Sequence, residues 1–179
     1  ATIQTYKHNN IADLRSLLQG IASDDIKKKR DATQQRRFIV TEGIFRSTGE
    51  ICPLEELLSL KEQYCYRLIL DEGLSFGTLG ATGKGITEYF NANIKDIEVV
   101  LLPMDTTLGS VGGVCVGSRE IVDHQRLSGA GYCFSAAAAP FLSSVACKTL
   151  SIMKSDPSLL EKLRTNAAKL TKGVSAISG

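Results

Sequence analysis

Histidine is nearly absent from this chain. His8 and His124 are the only two, so a histidine-rich metal site is excluded. The five cysteines (Cys52, Cys65, Cys115, Cys133 and Cys147) are scattered, odd in number and never spaced C-x-x-C. They read as reduced thiols of a cytosolic compartment, packed mostly as small apolar residues, ahead of metal ligands. No apolar run approaches the roughly 20 residues that a transmembrane helix needs. The start, Ala1 to Tyr6, lacks the basic end and apolar core of a signal peptide. Charge of one sign is also missing. A net charge of +2 gives no general argument for nucleic acid or an anionic membrane as partner. There is no internal repeat and no low-complexity linker.

What is present suits a globular domain. Hydrophobic residues make up 43% and charged residues 22% of 179, enough for a sizeable core and too apolar for disorder. Thr2 to Tyr6 suits a short strand. Asn9 or Asn10 then caps a helix with Ile11, Leu14, Leu17, Leu18 and Ile21 on one face. Asp24 to Arg37, with the run Lys27-Lys28-Lys29-Arg30, reads as a solvated surface loop ahead of a phosphate or lipid-headgroup patch. Phe38 to Gly43 is a strand, Ser47 to Glu50 a turn, and Pro53 opens a helix carrying Leu54, Leu57, Leu58 and Leu60. Tyr66 to Leu70 is the next strand, which makes the strand-helix-strand unit of a parallel sheet. Thr87 to Asn93 is a turn or short helical piece. Ile97 to Leu102 is a strand and Val114 to Val116 a short one, antiparallel if its short connection decides. Arg119 to Leu127 is helical, and Gly129 to Ser135 a loop or edge segment. Ala136 to Met153 is a long apolar helix. Pro157 opens a last helix with Leu159, Leu160, Leu163, Ala167 and Leu170 inward.

The chain is organised around Leu68 to Gly117. Leu68-Ile69-Leu70 ends in two carboxylates, Asp71 and Glu72, followed by Ser75-Phe76-Gly77-Thr78-Leu79-Gly80 and Gly83-Lys84-Gly85. A second apolar run leads into Leu108-Gly109-Ser110-Val111-Gly112-Gly113. An apolar run, an acid and a glycine-rich turn read as a buried parallel strand delivering a carboxylate to the sheet's C-terminal edge. That edge is where open α/β sheets bind ligands. The plain alternative is an ordinary strand with a polar loop after it.

These residues resemble the α-oxoamine synthases, pyridoxal-phosphate enzymes of fold type I that condense an amino acid with an acyl-CoA. Asp71-Glu72-Gly73-Leu74-Ser75-Phe76-Gly77-Thr78-Leu79-Gly80 is similar to their Asp-Glu-Ala-His-Ser-x-Gly-x-x-Gly turn. Leu108 to Gly117 resembles their Leu-Gly-x-x-Gly-Gly strand, and Gly131 to Pro140 their Gly-(Phe/Tyr)-x-Phe-Ser segment. Asp123-His124-Gln125-Arg126-Leu127-Ser128-Gly129, with Gly131 to Ala136 after it, looks closest to one branch. That branch is the long-chain-base subunits of serine palmitoyltransferase that lack the catalytic lysine. The likeness is clearest from Phe38 to Pro157. It implies an α/β fold, a mostly parallel sheet flanked by helices, as in part of the large domain of fold type I transferases. Residues 1–155 would belong to that domain, and 156–179 would be a helix leading toward a C-terminal small domain. The chain would be a fragment or a processed form.

The departures decide what the resemblance implies for function. Active members carry the Schiff-base lysine two residues before the Leu-Gly pair; Thr106 stands there, and a hydroxyl cannot replace an amine. Lys84 and Lys95 lie before the strand, in exposed-looking positions. Leu74 stands at the turn's histidine position and can neither donate nor accept a hydrogen bond. No catalytic residue is therefore expected, Thr106 and Leu74 being the degenerate positions. The cofactor-binding positions carried over are Asp71, at the place of the pyridinium partner, and Ser135, in the segment that holds a neighbouring subunit's cofactor phosphate. Asp71 also fits a plain capped strand-end carboxylate. Ser135 also fits an ordinary loop serine, since the threonine usual after it is Ala136.

Pyridoxal phosphate would then sit in a lysine-bearing partner subunit, with none bound covalently to this chain. The partner would be the catalytic long-chain-base subunit, with serine and acyl-CoA at a shared site. The place would be the cytosolic face of the endoplasmic-reticulum membrane, through a segment not covered here. A self-sufficient transferase using another lysine, and an interaction or regulatory module on a degenerate scaffold, stay open beside it.

Overall fold

The computed structural model describes residues 2–177. Four strands form one sheet in the order β1-β2-β3-β4: β1 (Phe38–Glu42), β2 (Arg67–Asp71), β3 (Val99–Pro103) and β4 (Gly113–Gly117). β1, β2 and β3 run parallel, and β4 returns antiparallel to β3. The connection between Pro103 and Gly113 is too short for the dozen or more residues that a parallel crossover needs, so β4 can only turn back. Seven helices accompany the sheet among the described residues: α1 (Ile11–Lys27), α2 (Leu54–Tyr64), α3 (Ile86–Tyr89), α4 (Arg119–Ser128), α5 (Ala130–Cys133), α6 (Pro140–Ser155) and α7 (Ser158–Ile177).

The main core lies between one sheet face and α1 and α2. Leu14 and Leu18 of α1 and Leu54, Leu57 and Leu60 of α2 pack with Ile39, Leu68, Leu70 and Val100. Each fully buried leucine stabilises by roughly 2 kcal/mol. α1 starts where Asn10 accepts the Asp13 N–H (2.9 Å), and α2 follows Pro53. The other sheet face is less covered, with Phe38, Val40 and Leu101 exposed on it. A second, smaller core joins Met104, Leu108 and Ala146, with Phe76, Leu102 and Val114 against it. It seats α6 on the connection between β3 and β4.

Several sequence expectations are corrected. Thr2 to Tyr6 pairs with no strand; Tyr6 instead lies against the core. Asp24 to Arg37 is more than a solvated loop. Asp25 is buried and gripped by both guanidinium nitrogens of Arg37 (2.5 and 2.8 Å) and by Arg30 (2.9 Å). The Lys27–Arg30 run itself is exposed, as expected. Only Cys52 is buried; Cys65, Cys133 and Cys147 are exposed, because they fall on outward helix faces or termini rather than in the core.

Gly129 to Ser135 contains a helical turn, α5. The long apolar helix begins at Pro140 rather than Ala136, since the residue before a proline favours extended backbone, and Ala139 adopts it (ψ 136°). The face of α7 expected to be inward is largely open: Leu159, Leu163 and Leu170 are exposed. α7 touches the rest near its start, where Arg164 donates to the Gly80 carbonyl.

Candidate functional site

The C-terminal ends of β2 and β3 lie side by side, with Asp71 opposite Leu101 and Glu42. Two loops rise from this edge. Residues 72–85 follow β2, and residues 104–112 follow β3. The register places Asp71 at this edge, with Leu74 in the first loop and Thr106 in the second. Ser135 lies elsewhere in the chain's course, after α5, where its hydroxyl donates to the Gly131 carbonyl (2.5 Å) and is exposed.

The loop after β2 is built on three carboxylates, each capturing backbone N–H groups of its own neighbourhood. Asp71 Oδ1 accepts the Gly73 N–H (2.7 Å). Glu72 is buried; it accepts the Ser75 hydroxyl and, on both oxygens, the Ile86 N–H (3.2 and 3.1 Å). Glu88 accepts the N–H groups of Thr82 (2.9 Å) and Lys84 (3.1 Å) and the Thr82 hydroxyl (2.8 Å). Burial pushes the Glu72 carboxyl above its ordinary range, more than the Ser75 hydroxyl and the Ile86 and Thr87 N–H groups pull it down. Burial raises Glu88 as well, but the Thr82 and Lys84 donors outweigh it and hold the group below its ordinary value.

The loop after β3 is held as firmly. The Met104 N–H donates to the Gly112 carbonyl and the Ser110 N–H to the Met104 carbonyl (both 2.9 Å). The Ser110 hydroxyl donates to the Leu142 carbonyl (2.8 Å), and Thr149 of α6 donates to the Leu108 carbonyl (3.0 Å). The two loops are joined directly, since Thr107 Oγ1 donates to the Phe76 carbonyl (2.8 Å). Thr106, one residue away, is exposed, and its hydroxyl reaches the Pro103 carbonyl at 3.4 Å.

The groups this edge offers to a cofactor are few. Thr106 offers a hydroxyl and no amine. Lys84 and Lys95 are both exposed. Asp71 has one carboxylate oxygen committed to the Gly73 N–H. Leu74 is half-buried and brings no polar group. Two concavities among the described residues lie away from this edge. One is beside α1 and the end of α2, lined by Leu18, Ile26, Arg37 and Tyr66; the other is between α4 and α5. Among the described residues no cluster of acids, cysteines and histidines could hold a metal, and no helix is long and apolar enough to cross a membrane.

Sequence reasoning passed over Glu72 and Thr107. The Asp-Glu pair was visible, but nothing in the sequence showed that Glu72 turns inward to meet Ser75 and Ile86. Thr107 was hidden beside the more conspicuous Thr106.

The class I and II aminotransferase family model matches residues 1–179. Long chain base biosynthesis protein 1 of Arabidopsis thaliana is 41% identical over 179 residues, all of this chain and 36% of that protein. Serine palmitoyltransferase 1 of Saccharomyces cerevisiae is 37% identical over 175 residues, 97% of this chain and 30% of that protein. The chain thus spans about a third of the length of these relatives. Among solved structures, a serine palmitoyltransferase carrying pyridoxal phosphate superposes with a TM-score of 0.84 at 26% identity, over 98% of this chain and 42% of that one. The 8-amino-7-oxononanoate synthase of Francisella tularensis shares the fold, with a TM-score of 0.78 at 24% identity, over 98% of this chain and 47% of that one.

Proposed function

Because this chain belongs to the class I and II aminotransferase family, we propose that it is part of a non-catalytic subunit of serine palmitoyltransferase. It supports a lysine-bearing partner that condenses serine with a long-chain acyl-CoA, an early step in making sphingolipids. One observation carries this reading. The loop after β3 is hydrogen-bonded to the loop after β2 and to α6, yet by the family resemblance Thr106 takes the place of a Schiff-base lysine. A scaffold so fully braced, with its nucleophile missing, suits a chain that shapes a site it does not itself operate. Pyridoxal phosphate supplies the electron sink for this chemistry. In this reading the partner binds it through its own lysine, and this chain contributes the edge around Asp71 and the segment around Ser135.

The surface supports a partner. From Leu127 to Phe141 the chain exposes Leu127, Tyr132, Phe134 and Phe141, with Phe134 at 90% exposure. Aromatic residues so exposed in one short stretch suit the core of a subunit interface. Obligate interfaces typically bury on the order of 2,000 Å² or more. Residues 1–155 would form part of the large domain, and 156–179 would lead toward a small domain. The complex would sit at the cytosolic face of the endoplasmic-reticulum membrane, anchored by a segment outside these residues.

The test is co-expression of the full-length chain, wild type or bearing Gly131→Glu or Ser135→Arg, with the lysine-bearing homologue. We expect both variants to lower co-purification, the partner's acyl-transfer turnover, or both. Wild-type values on both counts would move this segment away from the shared site and put a regulatory role ahead. A second check is optical. The purified chain mixed with pyridoxal phosphate should give no Schiff-base absorbance band; a band would restore a self-sufficient transferase.

A further inference from the structure

Two carboxylates are buried among the described residues, Asp25 and Glu72. Asp25 is matched by the cations Arg30 and Arg37. Glu72 is met instead by hydrogen-bond donors from both ends of one loop, Ser75 at its start and Ile86 at its close. Burying a carboxyl group is costly unless its bonds are made well, so the geometry around it should be exacting. The surroundings agree. A Cβ at Gly43 would overlap the Ser75 hydroxyl, and a Cβ at Gly85 would overlap the Glu72 carboxylate. Gly85 also has a φ of +94°, open to glycine at little cost. Space is therefore cleared at both ends of the clasp. The same loop accepts the Thr107 hydroxyl at Phe76, so what fixes the loop after β2 also fixes the loop after β3.

We infer that Glu72 is a positioning residue: by tying Ser75 to Ile86 from inside, it holds the loop of residues 73–85, and through Phe76 and Thr107 it holds Thr106 and its neighbours at the edge shared with the partner. The inference rests on the subunit reading above. Glu72 touches no reacting atom in it. Its contribution is the placement of two loops against a site whose lysine and cofactor belong to the other subunit.

The test uses the full-length chain co-expressed with its lysine-bearing partner, in wild-type form, with Glu72→Ala, Glu72→Gln or Ser75→Ala, and with this chain omitted. Co-purification, kcat and KM for both substrates are measured. Glu72→Ala should assemble but lose kcat by about tenfold or more, the scale on which displaced groups near a reacting centre act. Ser75→Ala should lose less. Glu72→Gln should recover most of the loss, because its carbonyl can accept the Ile86 N–H while its NH2 group donates to Ser75 Oγ. An assembled Glu72→Ala complex with wild-type kcat overturns the inference. So does a Gln variant as poor as Ala, which would make charge the operative property. If Glu72→Ala fails to assemble, Ser75→Ala decides: a reduced kcat supports the inference and a wild-type kcat overturns it. Full turnover with this chain omitted overturns the subunit reading itself, and that arm separates the two failures.

Discussion

In the proposed reading, Thr106 and Leu74 stand where a lysine and a histidine would act, and the walls around them stay braced. The neighbouring Thr107 still bonds Phe76, and Ser110 still bonds Leu142. Thr106→Lys alone should therefore fail to restore turnover in the absence of the partner. The edge would still carry Leu74, which offers no hydrogen bond, and an Asp71 already engaged with Gly73. Robust acyl transfer by that single variant, measured on the purified chain with pyridoxal phosphate, would show the site to be less degraded than it looks. Gly77 makes a second prediction. Its φ is +80°, and an added Cβ would run into the Thr107 side chain. Gly77→Ala should cost roughly 1–2 kcal/mol or more in urea unfolding, from backbone strain alone. At this scale the sequence made Thr106 and Leu74 conspicuous, because a resemblance to a motif needs only residue identity. The Glu72 clasp stayed hidden, since it depends on two residues fourteen positions apart meeting inside the fold.

Elements were more legible than residues. The strands at β1, β2 and β3 and the helix between the first two follow from apolar runs and periodicity, and β4 turned back for the reason its short connection gave. The boundary near Pro140 and the turn α5 were missed because small and aromatic residues in Gly131 to Ala139 carry no clear period. The inward face of α7 was misjudged because periodicity reports an apolar stripe and not what covers it. One joint between elements was not visible at all. Lys61, 3% exposed on α2, pairs with Glu98 at the entry to β3 (2.7 Å), and Glu98 also accepts the N–H of Leu68 at the start of β2 (2.6 Å). One carboxylate thus pins a helix and two strands. Glu98→Ala would leave the Leu68 N–H without its acceptor and Lys61 with only the exposed Glu62 at 3.4 Å, and should cost about 2–3 kcal/mol. Lys61→Met combined with Glu98→Gln should cost much less, because no charge is left buried and the Leu68 N–H keeps an acceptor. Equal losses in the two variants, read from denaturant midpoints, would mean that the pair acts only at the surface.

For the molecule as a whole, acid should pull in two directions. Hydrogen bonds from Lys28 to Asp24 and from Arg37 to Asp25 hold both carboxyls below their ordinary 3.8. Such groups bind protons more weakly folded than unfolded. The stability they add is present above pH 3.8 and is lost as pH falls through their lowered values. Glu72 behaves oppositely, because burial raises it above its ordinary 4.5. Folded, it holds its proton more tightly than the unfolded chain does, so its contribution is present below pH 4.5 and fades as pH rises through its raised value. Wild-type protein should therefore lose thermal stability as pH falls below about 3.8, where Asp24 and Asp25 take up protons more readily unfolded than folded. Glu72→Gln cannot ionise and removes only the opposing trend. Whatever its offset at acid pH, its Tm should gain steadily on wild type as pH climbs above 4.5, then level off once Glu72 is ionised in both states. Calorimetry from about pH 3 to pH 8 on both proteins reads this directly. A difference that stays constant or shrinks across that range would mean that Glu72 ionises as an ordinary carboxylate, and that its burial is weaker than the fold indicates.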